Sequence, residues 1–278
     1  MSAPSSRSEG TGLSRLTLCA DDFAWSPATS RVIAALLETA KLNATGCMTL
    51  RPNWPEDSRR LRDLPAPAQI GLHLVLTDEQ PLASTDVMVD IVTLRGRAAA
   101  GRLDRDAVAA EVAAQFDRFE QAMGRPPAFV DGHQHAHSLP TIREVVLDAT
   151  RRRAPGAWVR TCQDRWTGIA RRPFRGKAIG SAFHSRRLRA QAAAEGLACN
   201  RGFAGHYDFR SDFAALFPHF LAGGGAEHLV MCHPGADDRA GDVIAAARVA
   251  EAAALAAMPV AAVAAARGLD FVSVAGGA

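Results

Sequence analysis

The chain has 278 residues, which suits one large domain or two small ones. Hydrophobic residues make up 48% of it and charged residues 22%. These values exclude a disordered chain, and the sequence has no run of about 18 apolar residues that would predict a membrane-spanning helix. The formal net charge of +3 hides an asymmetry, because residues 151–189 hold 12 Lys or Arg and one acidic residue. Such a basic segment favours a solvated loop, or a surface that faces an anionic ligand.

The first 15 residues are polar and predict a disordered N-terminal tail rather than a secretory signal, which leaves residues 16–278 for a single domain. Five cysteines are widely spread and form no C-x-x-C pair, so neither a disulfide framework nor a zinc ribbon is indicated. We therefore expect a cytoplasmic protein. Aromatic residues are sparse in the basic segment, and we expect neither a nucleic-acid partner nor a membrane partner.

Short apolar runs alternate with helical patterns along the chain. Strands are predicted at 16–20, 44–50, 69–76, 127–132, 157–161, 227–235 and 271–274. Helices are predicted around 27–40, 55–63, 104–123, 142–149, 185–195, 211–222 and 242–267, the last interrupted by a proline. Two stretches, 77–103 and 161–184, have no clear period and are predicted to be loops. The alternation predicts an irregular (β/α) TIM-like barrel with roughly six to eight parallel strands.

Carboxylates and imidazoles occur at or just after the ends of the predicted strands. The residues are Asp21, Asp22, His73, Asp131, His133, His135, His137 and His233. In a parallel barrel the carboxyl ends of the strands form the functional face, so we expect these side chains to meet at one mouth.

Each of these signals also has a plain structural interpretation. Asp21 and Asp22 can bind a metal and act as a base, or one of them can cap the next helix, although Ser26 already suits that cap. His73 by itself is typical of a hydrogen-bonded core histidine. His233, in MCHPG, suits a general acid, but a strand-end histidine bonded to backbone groups has the same appearance.

The segment DGHQHAH (131–137) carries the strongest local signal. Histidines at alternate positions of an extended segment point to the same side, and neutral imidazole is a common ligand of zinc and other divalent metals. The alternative is a hydrogen-bonded histidine cluster that holds a loop. Not all three need be ligands, since His135 and His137 could contact substrate, and Asp131 could orient a ligand.

Together, Asp22, His73 and His133 supply one carboxylate and two imidazoles for a metal with open positions. Asp21 and His233 remain as base and acid. This is the minimum set for metal-assisted hydrolysis of an unactivated amide, in which a base takes the proton of water and an acid protonates the departing amine.

Four motifs in order, ADDF (20–23), GLHLVLT (71–77), DGHQHAH (131–137) and MCHPG (231–235), resemble those of the YdjC-like carbohydrate deacetylases. That family includes chitooligosaccharide deacetylases and hopanoid-biosynthesis-associated relatives. The resemblance covers nearly all of residues 16–274. It implies an irregular (β/α) barrel, one divalent metal ion and removal of an acetyl group from an N-acetylated sugar.

The resemblance also implies roles for individual residues. The second aspartate of ADDF, here Asp22, binds the metal, as do the histidine of GLH, here His73, and the first histidine of DGHQHAH, here His133. The first aspartate, Asp21, acts as the base, and His233 of MCHPG acts as the acid. Zinc and magnesium are the expected metals, with manganese and cobalt as alternatives, and a homodimer is consistent with the family.

Ala24 departs from the family pattern, while Arg160 and almost all of the two predicted loops lie outside the four motifs. Ala24 stands where the family usually has glycine after ADDF, which could reshape the turn there. Arg160, at the end of the fifth predicted strand, is expected to orient a carboxylate or to contact substrate. The two predicted loops should carry substrate recognition. The basic charge of the second loop, including Arg171 and Arg172, suggests an anionic sugar.

Other functions fit part of the pattern. A different metal-dependent hydrolase acting on an anionic substrate remains open, although an amidohydrolase usually places H-x-H after its first strand, where this chain has Asp-Asp. A catalytically silent sugar-binding barrel would need neither Asp21 nor His233. A non-haem iron oxygenase also uses two histidines and a carboxylate, but the expected H-x-D motif does not occur.

Overall fold

The structure, a computed structural model, describes residues 14–64 and 68–271. Strands in these ranges are β1 (Ser14–Phe23), β2 (Ala44–Cys47), β3 (Gln69–Leu74), β4 (Phe129–Gly132), β5 (Trp158–Val159), β6 (Gly202–Ala204), β7 (Glu227–Cys232) and β8 (Leu269–Asp270). Helices are α1 (Pro27–Glu38), α2 (Trp54–Arg62), α3 (Ile91–Ala99), α4 (Arg105–Met123), α5 (Ile142–Arg153), α6 (Trp166–Ala170), α7 (Arg175–Ala194), α8 (Phe213–Phe220), α9 (Ala245–Ala257) and α10 (Val260–Ala265). A 3₁₀ segment, His133–Ser138, follows β4 directly.

The strands form one parallel sheet in the order β5-β4-β3-β2-β1-β7-β6, and β8 pairs with the first two residues of β1. In the described part of the chain, β5 is joined by a single bridge from Val159 to Cys199, which lies just before β6, and no ladder links β5 to β6 itself. The sheet therefore curls into an open half-barrel rather than closing with a full ladder. This confirms the predicted α/β barrel-like fold with parallel strands.

Local sequence explains where the well-predicted helices begin and end. The Ser26 side chain accepts a hydrogen bond from the Thr29 amide, and Pro27 occupies the first turn of α1. Asp104 caps α4 through the amides of residues 106 and 107, and Gly124 ends that helix with a left-handed φ of 67°. The apolar face of α4 then packs on α2, where Trp54 stacks on Phe119 with ring centroids 5.8 Å apart.

The two predicted loops are partly helical, which corrects the sequence analysis. Residues 77–103 contain α3, and residues 161–184 contain α6 and the first half of α7. The apolar period is weak in these helices because they bury few or small side chains: α3 buries Leu94 and Ala98, and most of the residues that α7 buries are Ala or Ser. The three-residue strand β6 was not predicted at all.

Other boundaries also differ from the prediction. β1 begins at Ser14, two residues earlier than expected, and residues 1–13 of the predicted tail lie outside the described residues. The predicted strand 271–274 lies outside them from residue 272 onward, whereas β8 is at Leu269–Asp270. The predicted interruption at Pro259 separates α9 from α10. No helix in the described ranges is both long and apolar enough to cross a membrane.

A buried histidine on β7 is a structural feature remote from the mouth of the barrel. His228 is fully buried, and its Nε2 lies 2.8 Å from the Phe220 carbonyl oxygen, to which it donates in the neutral form. Burial, together with the nearby Arg172 guanidinium, lowers the pKa of His228 to about 4. Because the unfolded chain binds this proton more readily, protonation favours unfolding.

We expect His228→Gln to reduce the loss of unfolding free energy that the wild type shows as the pH falls. The folded-state pKa of about 4 lies below the ordinary value of 6.5. The wild type should therefore lose stability as the pH falls through 6.5 toward 4. Between pH 7.5 and pH 5 this histidine should account for about 2 kcal/mol of the loss in unfolding free energy. Urea unfolding of both proteins across this range measures the difference, and parallel curves would contradict the assignment.

Candidate active site

The carboxyl ends of β1, β3, β4 and β7 open into one cleft of about 580 Å³, here called the site cleft. Its lining includes the predicted residues Asp21, Asp22, His73, His133, His135 and His233. Asp131, His137 and Arg160 lie behind this wall and are fully buried. The fold thus brings residues from four strands to one place, as expected of the carboxyl-terminal face of a parallel barrel.

Asp22 lies where β1 leaves its regular pairing. The register with β2 shifts between Ala20 and Phe23, and Asp22 itself has a left-handed φ of 65°. Aspartate tolerates this conformation better than most residues. The kink lets both adjacent aspartates reach the cleft wall instead of alternating across the sheet.

Asp22 accepts contacts on both carboxylate oxygens. Its Oδ1 lies 2.9 Å from His133 Nδ1 and 3.3 Å from His73 Nε2. Its Oδ2 accepts a hydrogen bond of 2.7 Å from Arg248 Nη2. Burial raises the pKa of Asp22, but His133 and Arg248 outweigh burial and hold the pKa well below its ordinary value. Asp22 is therefore an ionised carboxylate with Oδ1 directed at the two imidazoles.

His73 is oriented from behind by Asp131. Its Nδ1 donates to Asp131 Oδ1 at 2.6 Å, which leaves the Nε2 lone pair facing Asp22. Burial lowers the pKa of His73, but the carboxylates of Asp131 and Asp21 raise it to about 10. A cation is therefore favoured at Nε2, and a metal ion would meet the same requirement as a proton.

The donor set at this position fits a divalent metal. One oxygen or nitrogen atom from each of Asp22, His73 and His133 lies within 4.8 Å of the other two. Two imidazoles and one carboxylate are a common set for zinc and related metals. His133 is 19% exposed toward the cleft, so water or a substrate atom can reach a metal held there.

A second group of similar spacing, Cys19, Asp21 and Asp131, does not fit a metal. Arg160 already occupies the space between its carboxylates: Nη1 and Nη2 donate to the two oxygens of Asp21 at 2.8 and 3.0 Å, and Nη2 also pairs with Asp131. Burial raises the pKa of the Cys19 thiol well above its ordinary value. Arg160 therefore contacts two carboxylates at once, and its role in the site stays a prediction.

His233 faces Asp21 across the cleft. Its Nε2 lies 4.0 Å from Asp21 Oδ2, and the edge of its ring meets the ring of Phe209 at a centroid distance of 5.3 Å. Burial lowers the pKa of His233 to about 4, although Asp21 and Asp22 oppose this effect. The imidazole is therefore neutral at neutral pH, and it can take up a proton and release it within the cleft.

The three histidines after β4 do not share one side, which corrects the sequence analysis. They lie in the 3₁₀ segment rather than in an extended strand, and Gln134 and His135 have left-handed φ values of 52° and 58°. His133 therefore points toward Asp22. The His137 ring lies behind the wall, with Nε2 2.9 Å from the Arg160 carbonyl oxygen. His135 meets the rings of Phe203 and His206 farther along the cleft.

Several residues of the site were missed by the sequence analysis. Arg248 and Glu251 lie on α9, fully buried, in phase with the core residue Leu255. Two charged residues on the apolar stripe of an Ala-rich helix were the available signal. Trp25 and Arg239, which stack with the guanidinium carbon 3.8 Å from the ring centroid, have no such signature.

The basic segment reaches the site cleft through Lys177 and not through Arg171 or Arg172. Arg172 is buried in an ion pair with Asp164 and donates to the carbonyl oxygens of Phe203 and Ala222, both at 2.9 Å. Neither Arg171 nor Arg172 lines the site cleft. The expectation of an anionic substrate stays a prediction, since Lys177 brings one positive charge of the segment to the cleft.

The family model described as YdjC-like protein matches residues 15–266. The chain belongs to the YdjC-like family. Two curated relatives are each named chitooligosaccharide deacetylase. The one from Yersinia enterocolitica is 42% identical over 82 residues, 28% of this chain and 32% of that protein. The one from Yersinia pestis (strain Pestoides F) is 38% identical over 90 residues, 31% and 36%. The matched segments thus span about a third of these YdjC-like relatives.

A solved structure shows the same fold over nearly its whole length. The protein, from Enterococcus faecalis V583, is named as a candidate cellobiose-phosphate cleavage protein. Its TM-score is 0.69 at 19% identity, and the match covers 94% of this chain and 97% of that one. At this identity the likeness establishes the fold that the YdjC-like chain shares with it.

We expect His73→Ala and His133→Ala to abolish tight metal binding, because each removes one of three donors. Asp131→Asn should weaken the metal affinity about 10- to 100-fold, since it removes the carboxylate that orients His73. Metal content after dialysis, measured by elemental analysis, is the readout. His228→Gln, which changes a buried histidine outside the site cleft, is the matched control and should keep the wild-type metal content. A full complement in both alanine variants would refute the ligand set.

Proposed function

We propose that this protein is a metal-dependent hydrolase that removes the acetyl group from an N-acetylated sugar or oligosaccharide. The observation that carries the proposal is the arrangement in one cleft of a carboxylate and two imidazoles suited to a metal, flanked by Asp21 and His233. Membership of the YdjC-like family and the chitooligosaccharide deacetylase names of its relatives support the substrate class.

The metal would be held by Asp22, His73 and His133, with zinc or magnesium as the proposed ion. When bound, it would polarise the acetyl carbonyl and lower the pKa of a coordinated water. Arg248 donates to Oδ2 of Asp22, so Oδ1 stays directed at the imidazoles of His73 and His133. Asp131 does the same for His73 from behind.

We infer that Asp21 acts as the base. Its bidentate pair with Arg160 fixes the carboxylate, and its Oδ2 faces the interior of the cleft on the side of His233. Asp21 would take a proton from the water as the water oxygen bonds to the acetyl carbon. Asp21 would pass this proton to the neutral imidazole of His233 across the cleft, and His233 would give it to the sugar nitrogen as the C–N bond breaks. Acetate and a free amine are the products.

We expect Asp21→Asn to keep its metal and lose turnover by about 10²- to 10⁴-fold, because the amide cannot take the proton from water. The substitution preserves shape, so metal content and unfolding temperature provide the control. A variant that releases acetate at close to the wild-type rate would count against Asp21 as the base.

We expect acetate release from N-acetylated mono- and oligosaccharides to stop when a chelator removes the metal and to return when zinc or magnesium is restored. An enzyme-coupled acetate assay across a panel of such sugars measures this directly. Release that persists in metal-free protein would overturn the metal requirement. Absence of release in protein shown to contain metal would overturn the proposed substrate class.

A further inference from the structure

Glu251 is a fully buried carboxylate that the proposed chemistry does not use. It lies on α9, and its two oxygens accept from different segments of the chain. Oε1 accepts from the Tyr207 hydroxyl at 2.5 Å, and Oε2 accepts from the backbone amide of His233. Glu251 therefore joins α9 to two other segments. One is the chain directly after β7, at His233, and the other is the loop after β6, at Tyr207.

The surroundings of His233 make this contact important for the orientation of its ring. Histidines in active sites are usually oriented by a hydrogen bond to the second ring nitrogen. Among the described residues, His233 Nδ1 has no hydrogen-bond partner. The ring is held by its backbone and by the edge contact with Phe209. The position of the His233 backbone therefore sets where Nε2 points.

The loop that carries Phe209 is held by the same carboxylate. Tyr207, two residues before Phe209, donates its hydroxyl to Glu251 and packs against the ring of Phe209 at 4.8 Å. Its backbone oxygen also accepts from Lys177 Nζ at 2.7 Å. Glu251 thus contributes to both supports of the His233 ring, its backbone and the contact with Phe209.

A carboxylate at this position is costly to the stability of the fold. Removing a carboxylate from water is costly unless a cation pairs with it. Arg248, on the same helix, donates to Asp22 and Asp242. Burial raises the pKa of Glu251 to about 7, although the hydrogen bonds from Tyr207 and the His233 amide and the nearby Arg248 guanidinium oppose this effect. A glutamine would supply an acceptor for the amide at lower cost in desolvation.

We propose that Glu251 is a positioning residue that holds His233 Nε2 where it can protonate the departing amine. This inference rests on the proposed deacetylase function, because the amine is the leaving group of that reaction. Misplacing a catalytic group by about 1 Å can cost about 10²-fold in rate. Removing Glu251 should therefore slow the step in which His233 protonates the departing amine.

Two substrates separate this step from the attack of water. N,N′-diacetylchitobiose releases an amine, which requires a proton as the C–N bond breaks. 4-Nitrophenyl acetate releases a phenolate, which departs without one. Glu251→Ala should lower kcat for the amide about 10²-fold with KM nearly unchanged. The same variant should keep the rate for the aryl ester within about 3-fold, since metal and base are intact.

Glu251→Gln should restore most of the activity on the amide substrate, because its side-chain oxygen can still accept from the His233 backbone N–H.

Glu111→Ala is the matched control. Glu111 is another buried glutamate that accepts from two backbone amides, those of Leu82 and Ala83, but it does not contact His233. That variant should lower the unfolding temperature and change both rates by the same factor. If Glu251→Ala fails to fold, Glu251→Asp, which draws the carboxylate back by one methylene, takes its place in the same comparison.

Equal losses on the two substrates, or no rescue by Glu251→Gln, would overturn the positioning role. A crystal structure of the Glu251→Ala variant provides a test that is independent of the substrate. We expect the His233 ring to move from its wild-type position, and an unmoved ring would overturn the inference even if the wild type proved inactive on sugars. Wild-type protein that cleaves only the aryl ester would overturn the proposed function, whereas a displaced ring would still support the role of Glu251.

Discussion

Three buried carboxylates at the mouth of the sheet are held by two buried arginines. Arg160 bridges Asp21 and Asp131, and Arg248 holds Asp22. Ions removed from water at this depth are costly, and the cost is tolerable because each carboxylate meets several donors in fixed geometry. Oδ1 of Asp22 then contacts the imidazoles of His73 and His133, and Asp131 fixes the tautomer of His73. Removal of either arginine would leave an uncompensated charge inside the protein.

This network explains why distant parts of the chain end at the same place. Arg160 follows β5 and Arg248 lies on α9, yet both reach aspartates near the end of β1. The parallel order of the sheet puts β1 in its interior, between β2 and β7, so carboxyl ends of strands on both sides lie near it. The left-handed backbone at Asp22 turns two adjacent side chains toward the same cleft, which a regular strand would not allow.

The histidines around the site divide by environment. The carboxylates beside His73 raise its pKa to about 10, whereas burial lowers those of His137, His206 and His233 to about 4. The first environment favours a cation, and the second keeps the imidazole neutral. A position that favours a cation and a neutral imidazole therefore lie side by side in one cleft, because neighbouring carboxylates act strongly on one ring and weakly on the other.

The amino-acid sequence by itself determined the α/β class, the parallel order of apolar strands and helices, and the motifs that place Asp21, Asp22, His73, His133 and His233 at strand ends. These follow from local periodicity and from the rule that parallel strands present their carboxyl ends on one face. Only the tertiary structure decided that His135 and His137 point away from Asp22, that Arg172 is buried in an ion pair, and that Arg248 and Glu251 of α9 reach the site. The reason is physical: the direction of a side chain in an irregular turn, and the partner of a charged side chain across 226 positions of sequence, depend on contacts that no local pattern encodes.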